Sequence, residues 1–458
     1  MAGIGFELQR VLKRGGMVGA FKAALAGIII VAGPWLVSIL GISFLYQISS
    51  TAFGEHGMLF TAAVVYSYAF SLFLFGGFHY IFTRYIADLI YVKENGRALG
   101  ALVLAVVLVG ILSAVPALVT VSFLDLKMLQ FPGLYKSAAV LLFVTISLIS
   151  LVMIFITLLK RYVVIFLIYL TGMAVSVFSA YFLGRLYSIS GALAGFSLGH
   201  IFILVFLLIL LLTTIDISPP LKEFTPFLAY FRKYLVLFLT GIFYAAGIWS
   251  DKILLWFIKG DGVEGTFLHM FAPYDMPVYL ANLTIIPGLV YFMIYSESNF
   301  YIALKKVLLH LGRDIESRIK QGKYILYKTV KSSLREQSLF QGVITLVLII
   351  IAPDIKALFL SDAVSVLTFR ITLTALFFNL LLLTTVTFLF YIEKYKSAVF
   401  SVMIFFSVNV GVTLYSTAAD FPYYGGGYLV SCAVGTIAAF IFLRHGIKYI
   451  DRDIFAKY

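Results

Sequence analysis

Twelve apolar runs, each about 20 residues or longer, follow one another from residue 23 to residue 443. A helix of that length crosses the roughly 30 Å hydrocarbon core of a bilayer. Barrel strands are about half as long and alternate in polarity, which these runs do not. Hydrophobic residues make up 62% of the 458-residue chain and charged residues 12%, too few to cover a soluble core of that size. The sequence therefore predicts an all-α polytopic membrane protein. Its expected spans are 23–48, 58–83, 98–123, 137–158, 162–183, 191–212, 234–258, 271–296, 339–360, 371–391, 398–417 and 423–443. The one cysteine, Cys432, lies in an apolar run, which excludes an internal disulfide. The basic N-terminus enters a long apolar run with no small-residue cleavage site after it, so the first span reads as uncleaved.

Orientation follows from the basic residues. With both termini cytoplasmic, 27 Lys and Arg lie inside and five lie outside: Lys127, Lys136, Arg185, Lys259 and Arg370. Lys252 and Lys356 fall within spans. The net charge of +13 then forms a cytoplasmic rim facing anionic lipid and calls for no nucleic acid. The outer loops are short, which leaves no room for an external catalytic domain, and no enzyme is expected. Only residues 297–338 form a sizeable inner loop. It holds nine Lys or Arg, with Leu308, Leu309, Ile315, Ile319, Ile325 and Leu334 at loose helical spacing. The expectation is an amphipathic helix on anionic headgroups, with protein docking as the alternative.

The most unusual stretch is 241–297. Its first span carries Asp251 and Lys252 side by side. Its second holds Pro273, Pro277 and Pro287, with Asp275 and Asn282 among them. A charge within a span costs roughly 2.5–3.5 kcal/mol, so it needs a partner, water or a function. Repeated prolines remove backbone donors that a lipid-facing helix needs. A charged helix followed by a broken one suits a transport pathway. Neighbours on a helix point about 100° apart, so Asp251 and Lys252 are not expected to satisfy one another fully. Lys252 can snorkel outward. Asp251 is expected to face the interior and bias one conformation through protonation or ion binding; a structural ion pair is the alternative. Asp275, Asp354 and Lys356, nearer the outer interface, are expected to be solvated. The candidate pathway or coupling residues are Asp251, Lys252, Trp249, Trp35, Asp275 and Asn282. Arg84 and Asp88, at i, i+4 spacing on the cytoplasmic end of span two, read as a surface ion pair or, alternatively, as a candidate gate latch taken together with Glu297.

Residues 27–40 echo residues 241–254. Seven of fourteen positions match, including Gly27/Gly241, Gly33/Gly247 and Trp35/Trp249. Six spans separate them, as in parallel repeats. The expected organisation is two six-helix bundles, 1–212 and 234–443, with a cytoplasmic connector at 213–233, non-helical at least in part, and a tail at 444–458. Gly191, Gly195 and Gly199 open span six four residues apart, which favours close packing inside the bundle over dimerisation. His200 is expected to be a packed neutral ring. Aromatics are 17% of the chain, 29 of them Tyr; they suit a glycan path, though by composition alone ordinary core and interface roles account for them better. No phosphate-binding loop, spaced His/Cys cluster or nucleophile elbow appears, so no ATP-driven pump, metal site or cofactor is expected.

The run Ala2-Gly3-Ile4-Gly5-Phe6-Glu7-Leu8, with Ala26-Gly27 and Gly33-Pro34-Trp35, resembles the start of the PelG family of exopolysaccharide transporters. Arg84-Tyr85-Ile86-Ala87-Asp88, Trp249-Ser250-Asp251-Lys252, the prolines and Asp275 of span eight, Phe292 and Glu297-Ser298-Asn299-Phe300 continue the resemblance. It implies the twelve-span fold of the multidrug/oligosaccharidyl-lipid/polysaccharide exporter superfamily, with two bundles about a V-shaped central cavity. It implies a bacterial inner-membrane location, other Pel inner-membrane proteins and a cytoplasmic glycosyltransferase as partners, and an N-acetylgalactosamine-rich polysaccharide as cargo. The rival readings are an ion-coupled flippase or exporter of the same fold, a membrane enzyme acting on lipid-linked sugars, and a scaffold for the glycosyltransferase.

Overall fold

A computed structural model of the chain describes residues 57–455 except 93, 158–160, 215–223, 314–315, 360–362 and 422. Before residue 57 it describes 5–6, 8–10, 19, 21–30, 32–34, 36–38 and 41. Its elements are almost all helices. A bent pair, α1 (Phe21–Ile30) and α2 (Ala32–Ser38), is followed by α3 (Gly57–Tyr91), α4 (Asn95–Ser122), α5 (Pro132–Thr157), α6 (Tyr162–Leu212), α7 (Phe224–Lys233) and α8 (Leu235–Lys259). A short ribbon pairs β1 (Asp261–Gly262) antiparallel with β2 (His269–Met270). Then come α9 (Ala272–Leu283), α10 (Ile286–Tyr291), a π turn (Phe292–Ser296), α11 (Glu297–Arg313), α12 (Glu316–Phe359), α13 (Ala363–Tyr391), α14 (Tyr395–Ala418), α15 (Gly426–Lys448) and α16 (Ile450–Phe455).

Among the described residues, ten helices are long and apolar enough to cross a membrane, or eleven with the bent pair counted as one. One of the ten covers two expected spans. Helix α6 is 51 residues long, about 76 Å at the helical rise and more than twice what a bilayer needs. It breaks at Tyr187 and Ser188, where Ser188 takes φ 54°. Its two arms then pack on each other. A Cβ on Gly191, Gly195 or Gly199 would fall on the backbone of Leu183, Ser179 or Ser176 of the first arm. The glycine spacing thus sets a close crossing within the chain. With α6 taken as two spans, and α1–α2 as one, the candidate spans among the described residues number twelve.

The chain divides into two compact units. The first is Gly33–Ala245 with Lys259–Met270; the second is Met1–Ala32, Ala246–Ile258 and Phe271–Tyr458. In the first, a second close crossing sets α3 on the start of α8: a Cβ on Gly241 would meet the Gly76 carbonyl, and one on Gly77 would meet Phe238. Helix α7 lies against the end of α3 through Phe227 stacked on Phe82 (4.6 Å) and Tyr230 beside Tyr85 (4.9 Å). The part of the connector at 224–233 is therefore helical. Pro226 sits in its first turn, where no backbone donor is needed.

In the second unit α13 is central, packing on α9, α12 and α15. Residues 297–338 differ from the expected surface helix. They form α11 and the first half of α12, which pack together, with Leu304, Val307, Leu311, Leu326 and Val330 buried. Leu308, Leu309 and Ile325 point outward. Helix α12 is continuous from this basic segment into the apolar span, and its 44 residues extend about 66 Å. The helix runs on without a stop, and α11 packs on it through a different set of apolar residues from the expected stripe, of which Leu308, Leu309 and Ile325 stay exposed.

Candidate functional site

The charged pair of α8 sits in the interior of the second unit. Asp251 is 1% exposed and Lys252 7%. Lys252 does not snorkel: it folds back along its own helix, where its Nζ donates to the Ile248 carbonyl at 2.8 Å and lies 3.5 Å from Asp251 Oδ1. The reason lies in its surroundings. The ammonium is 5.0 Å from the ring centre of Tyr428, 5.7 Å from Trp249 and 6.0 Å from Tyr274. Such faces hold a desolvated cation by about 2 kcal/mol or more.

Asp251 is held from two further helices, as its short side chain requires. The Tyr274 hydroxyl of α9 donates to Oδ2. The Asn409 amide of α14 donates to Oδ1 at 3.4 Å and to the Gly247 carbonyl at 2.7 Å. Thr413 in turn donates to Asn409 Oδ1 at 3.2 Å. Gly247 admits this approach, because a Cβ there would enter the Phe405 ring. A buried pair is tolerated only when its remaining lone pairs and protons are occupied in this way.

Asp275, one turn along α9 from Phe271, is bonded rather than solvated. Trp256 Nε1 donates to both carboxylate oxygens, at 2.8 and 2.9 Å, and the Phe271 backbone N–H donates at 3.2 Å. Asp354 is exposed, as expected. Asn282 turns to its own helix, donating to the Val278 carbonyl at 2.9 Å. Trp249 is half-buried beside Trp256. Trp35 lies outside the described residues.

Span eight is broken, as expected, but only beside Pro287; Pro273 opens α9 and Pro277 lies inside it. Helix α9 ends at Leu283, and α10 restarts with Pro287 near its N-terminus. The carbonyl of Thr284, in the break, accepts from Gln341 Nε2 of α12 at 3.0 Å. The neighbouring helix thereby repairs part of the interrupted ladder. The π turn follows, a local widening frequent at functional sites. Directly after it Glu297, 2% exposed, accepts from the Tyr391 hydroxyl of α13.

The proposed gate residues fall in separate units. Arg84 and Asp88 belong to the first, Glu297 to the second. The Arg84–Asp88 separation is 3.9 Å, and each residue also meets a tyrosine within 230–234. Tyr230 donates to Asp88 at 2.6 Å, and the Arg84 guanidinium lies 4.7 Å from the Tyr234 ring centre. Burial, and after it the Asp88 carboxylate, push the Tyr230 phenol above its ordinary range. His200 is packed: Nδ1 lies 3.0 Å from the Phe196 carbonyl and Nε2 2.8 Å from the Tyr68 hydroxyl. A carbonyl only accepts, so Nδ1 carries the hydrogen and Nε2 receives one from Tyr68.

Residues Tyr274, Asn409, Tyr428, Trp256, Gln341 and Tyr391 are not singled out by the sequence. Asn409 and Gln341 carry an available signal, a polar amide inside an apolar span. The aromatic residues carry none among so many others.

Comparison with known proteins gives a consistent result. A family model, PelG, described as "Putative exopolysaccharide Exporter (EPS-E)", matches residues 1–455. No curated protein sequence matches. Among solved structures, an outward-facing multidrug resistance MATE family transporter of the MOP superfamily aligns with TM-score 0.62 and 14% identity, covering 94% of this chain and 97% of its own. An inward-facing structure of such a transporter gives 0.61 at 14% identity, with 93% and 99% covered. A MOP superfamily transporter from Pyrococcus furiosus gives 0.58 at 14% identity, with 94% and 96% covered. At that identity the likeness establishes the fold: this chain has the fold of MOP superfamily transporters.

Proposed function

Because the chain belongs to the PelG family, we propose that it moves a growing, largely neutral exopolysaccharide, Pel-like and rich in N-acetylgalactosamine, across the bacterial inner membrane. The observation that carries this reading is the family match along residues 1–455, on a fold shared with MOP superfamily transporters. Both termini face the cytoplasm, where the basic residues concentrate. A cytoplasmic glycosyltransferase, held with other Pel inner-membrane proteins, supplies the polymer. The two six-helix halves derive from a duplicated unit, with Trp35 and Trp249 at equivalent positions. Asp251 and Lys252, with Trp249, Asp275 and Asn282 on the same charged and broken helices, bias one conformation of the cycle. Arg84, Asp88 and Glu297 serve the cytoplasmic gate.

The test compares cells with and without the chain, using an N-acetylgalactosamine-binding lectin on the medium and on lysates. The expected result is loss of polymer outside and build-up inside when the chain is absent. Normal export without it overturns the proposal. A second reading, an ion-coupled flippase or exporter of lipid-linked sugar or small molecules, is favoured by the multidrug transporters among its structural neighbours. Gradient-driven uptake of such a substrate into vesicles holding the purified chain alone would establish it. A scaffold for the glycosyltransferase predicts instead that Asp251→Asn and Asp88→Asn leave export intact at normal protein level.

A further inference from the structure

The surroundings of Lys252 are those of a cation site. Three aromatic faces, a backbone carbonyl and a carboxylate surround one ammonium, and the residue is 7% exposed. Aromatic faces and carbonyl oxygens are what proteins offer to a desolvated monovalent cation. A carboxylate in a span otherwise demands either a proton or an ion. Here the next residue along the helix supplies the positive charge, and it is covalently attached.

We propose that Lys252 is a tethered cation. Its ammonium fills an alkali-cation site built from Asp251, the Ile248 carbonyl and the rings of Tyr274, Tyr428 and Trp249. The charge of Asp251 is balanced from within the chain, and no soluble sodium or potassium ion binds there. A free cation would have to displace an ammonium that cannot diffuse away. The Tyr274 and Asn409 donors occupy the remaining faces of the carboxylate. Asp251 thus acts in the second unit through a permanent internal counter-ion. This inference stands on the geometry of one buried cluster and requires no assumption about the cargo.

The test uses the full chain purified in detergent, with thermal unfolding followed in sodium, potassium, ethylammonium and N-methylglucamine chlorides at equal ionic strength. Wild type is expected to unfold at one temperature in all four. Lys252→Ala opens the site. It is expected to unfold several degrees earlier in N-methylglucamine and to recover saturably with sodium, potassium or ethylammonium. Asp251→Asn/Lys252→Ala is expected to lose that cation response. Should Lys252→Ala give no folded protein, Lys252→Gln carries the same comparison. Two outcomes overturn the proposal. One is saturable stabilisation of the wild type by sodium or potassium that Asp251→Asn removes. The other is a folded Lys252 variant that unfolds at the same temperature in every salt.

Discussion

The side-chain amide of Asn409 joins α14 to α8 at two points one turn apart, the Gly247 carbonyl at 2.7 Å and the Asp251 carboxylate at 3.4 Å. One neutral residue therefore ties the backbone of the charged helix and its charge to the same neighbour.

Replacing Asn409 with Leu removes both donors and leaves Asp251 with Tyr274 and Lys252 alone. Loss of a buried donor to a charged acceptor costs about 1–3 kcal/mol, and thermal unfolding of the purified protein should fall accordingly. Asn409→Asp is expected to be worse, since it sets a second carboxylate against the first. An Asn409→Leu protein as stable as wild type would remove this amide from the network.

Gly247 is required because Phe405 occupies the space a side chain would need. Gly247→Ala should destabilise by about 1–3 kcal/mol, the usual cost of overpacking. Phe405→Leu made in the same chain should recover much of that loss, although it is destabilising alone. Additive losses in the double variant would show that the two residues do not share one volume.

Tyr230→Phe removes the donor to Asp88 and should loosen α7 from α3. A hydrogen bond to a charged group contributes about 1.5–3 kcal/mol, less where it is half exposed. Proteolysis or amide exchange within 224–233 should quicken by up to about tenfold. Because burial and then Asp88 raise the phenol above its ordinary 10.0, the contact is intact below that pH and is lost only as pH climbs through the higher folded value. The tyrosinate absorbance difference between wild type and Tyr230→Phe should accordingly be absent near pH 10.

The tail helix α16 docks on α12 through Lys323 Nζ, which donates to Asp451 Oδ2 at 2.8 Å, and on the turn before α14 through Lys394 with Asp453. Burial alone would raise the Asp451 carboxyl, but the Lys323 hydrogen bond and further local contacts outweigh it and hold the value below its ordinary 3.8. A depressed folded value contributes stability above the unfolded one. That contribution disappears as pH falls from near 4 toward the lower folded value. Amide exchange in Ile450–Phe455 should therefore accelerate on acidification in wild type and respond less in Lys323→Ala. At neutral pH the variant should lose about 1 kcal/mol, since the half-buried pair is still screened by solvent.

The spans, the charged pair and the proline breaks are legible in the sequence because each violates or fulfils a composition rule within a few neighbouring residues. The partners are less so. Tyr274 reaches Asp251 across 23 positions and Asn409 across 158, and no local pattern marks such a meeting. Lys252 departs from its expected outward course for a related reason. Its stem is long enough to snorkel, and the three rings collected from α8, α9 and α15, with the Ile248 carbonyl and Asp251, make staying inside favourable. Residues 297–338 carry an amphipathic pattern at Leu308, Leu309 and Ile325 that stays exposed, while α11 packs on α12 through Leu304, Val307, Leu311, Leu326 and Val330, which that pattern does not mark. Close packing at the three glycines of α6 is legible, since their spacing calls for a backbone close by; that the first arm of α6 is that backbone is not.

The π turn at Phe292–Ser296 has a consequence for the surface that follows it. Each π bond spans one residue more than an α bond, so the turn absorbs one extra position without ending the helix. Side chains beyond it are rotated by about 100° from where an unbroken helix would carry them. The helix thus has two reading frames, one up to Tyr291 and another from Glu297. Removing any single residue between them would restore a uniform helix, and would turn Glu297 away from Tyr391 while leaving every residue of both frames chemically unchanged.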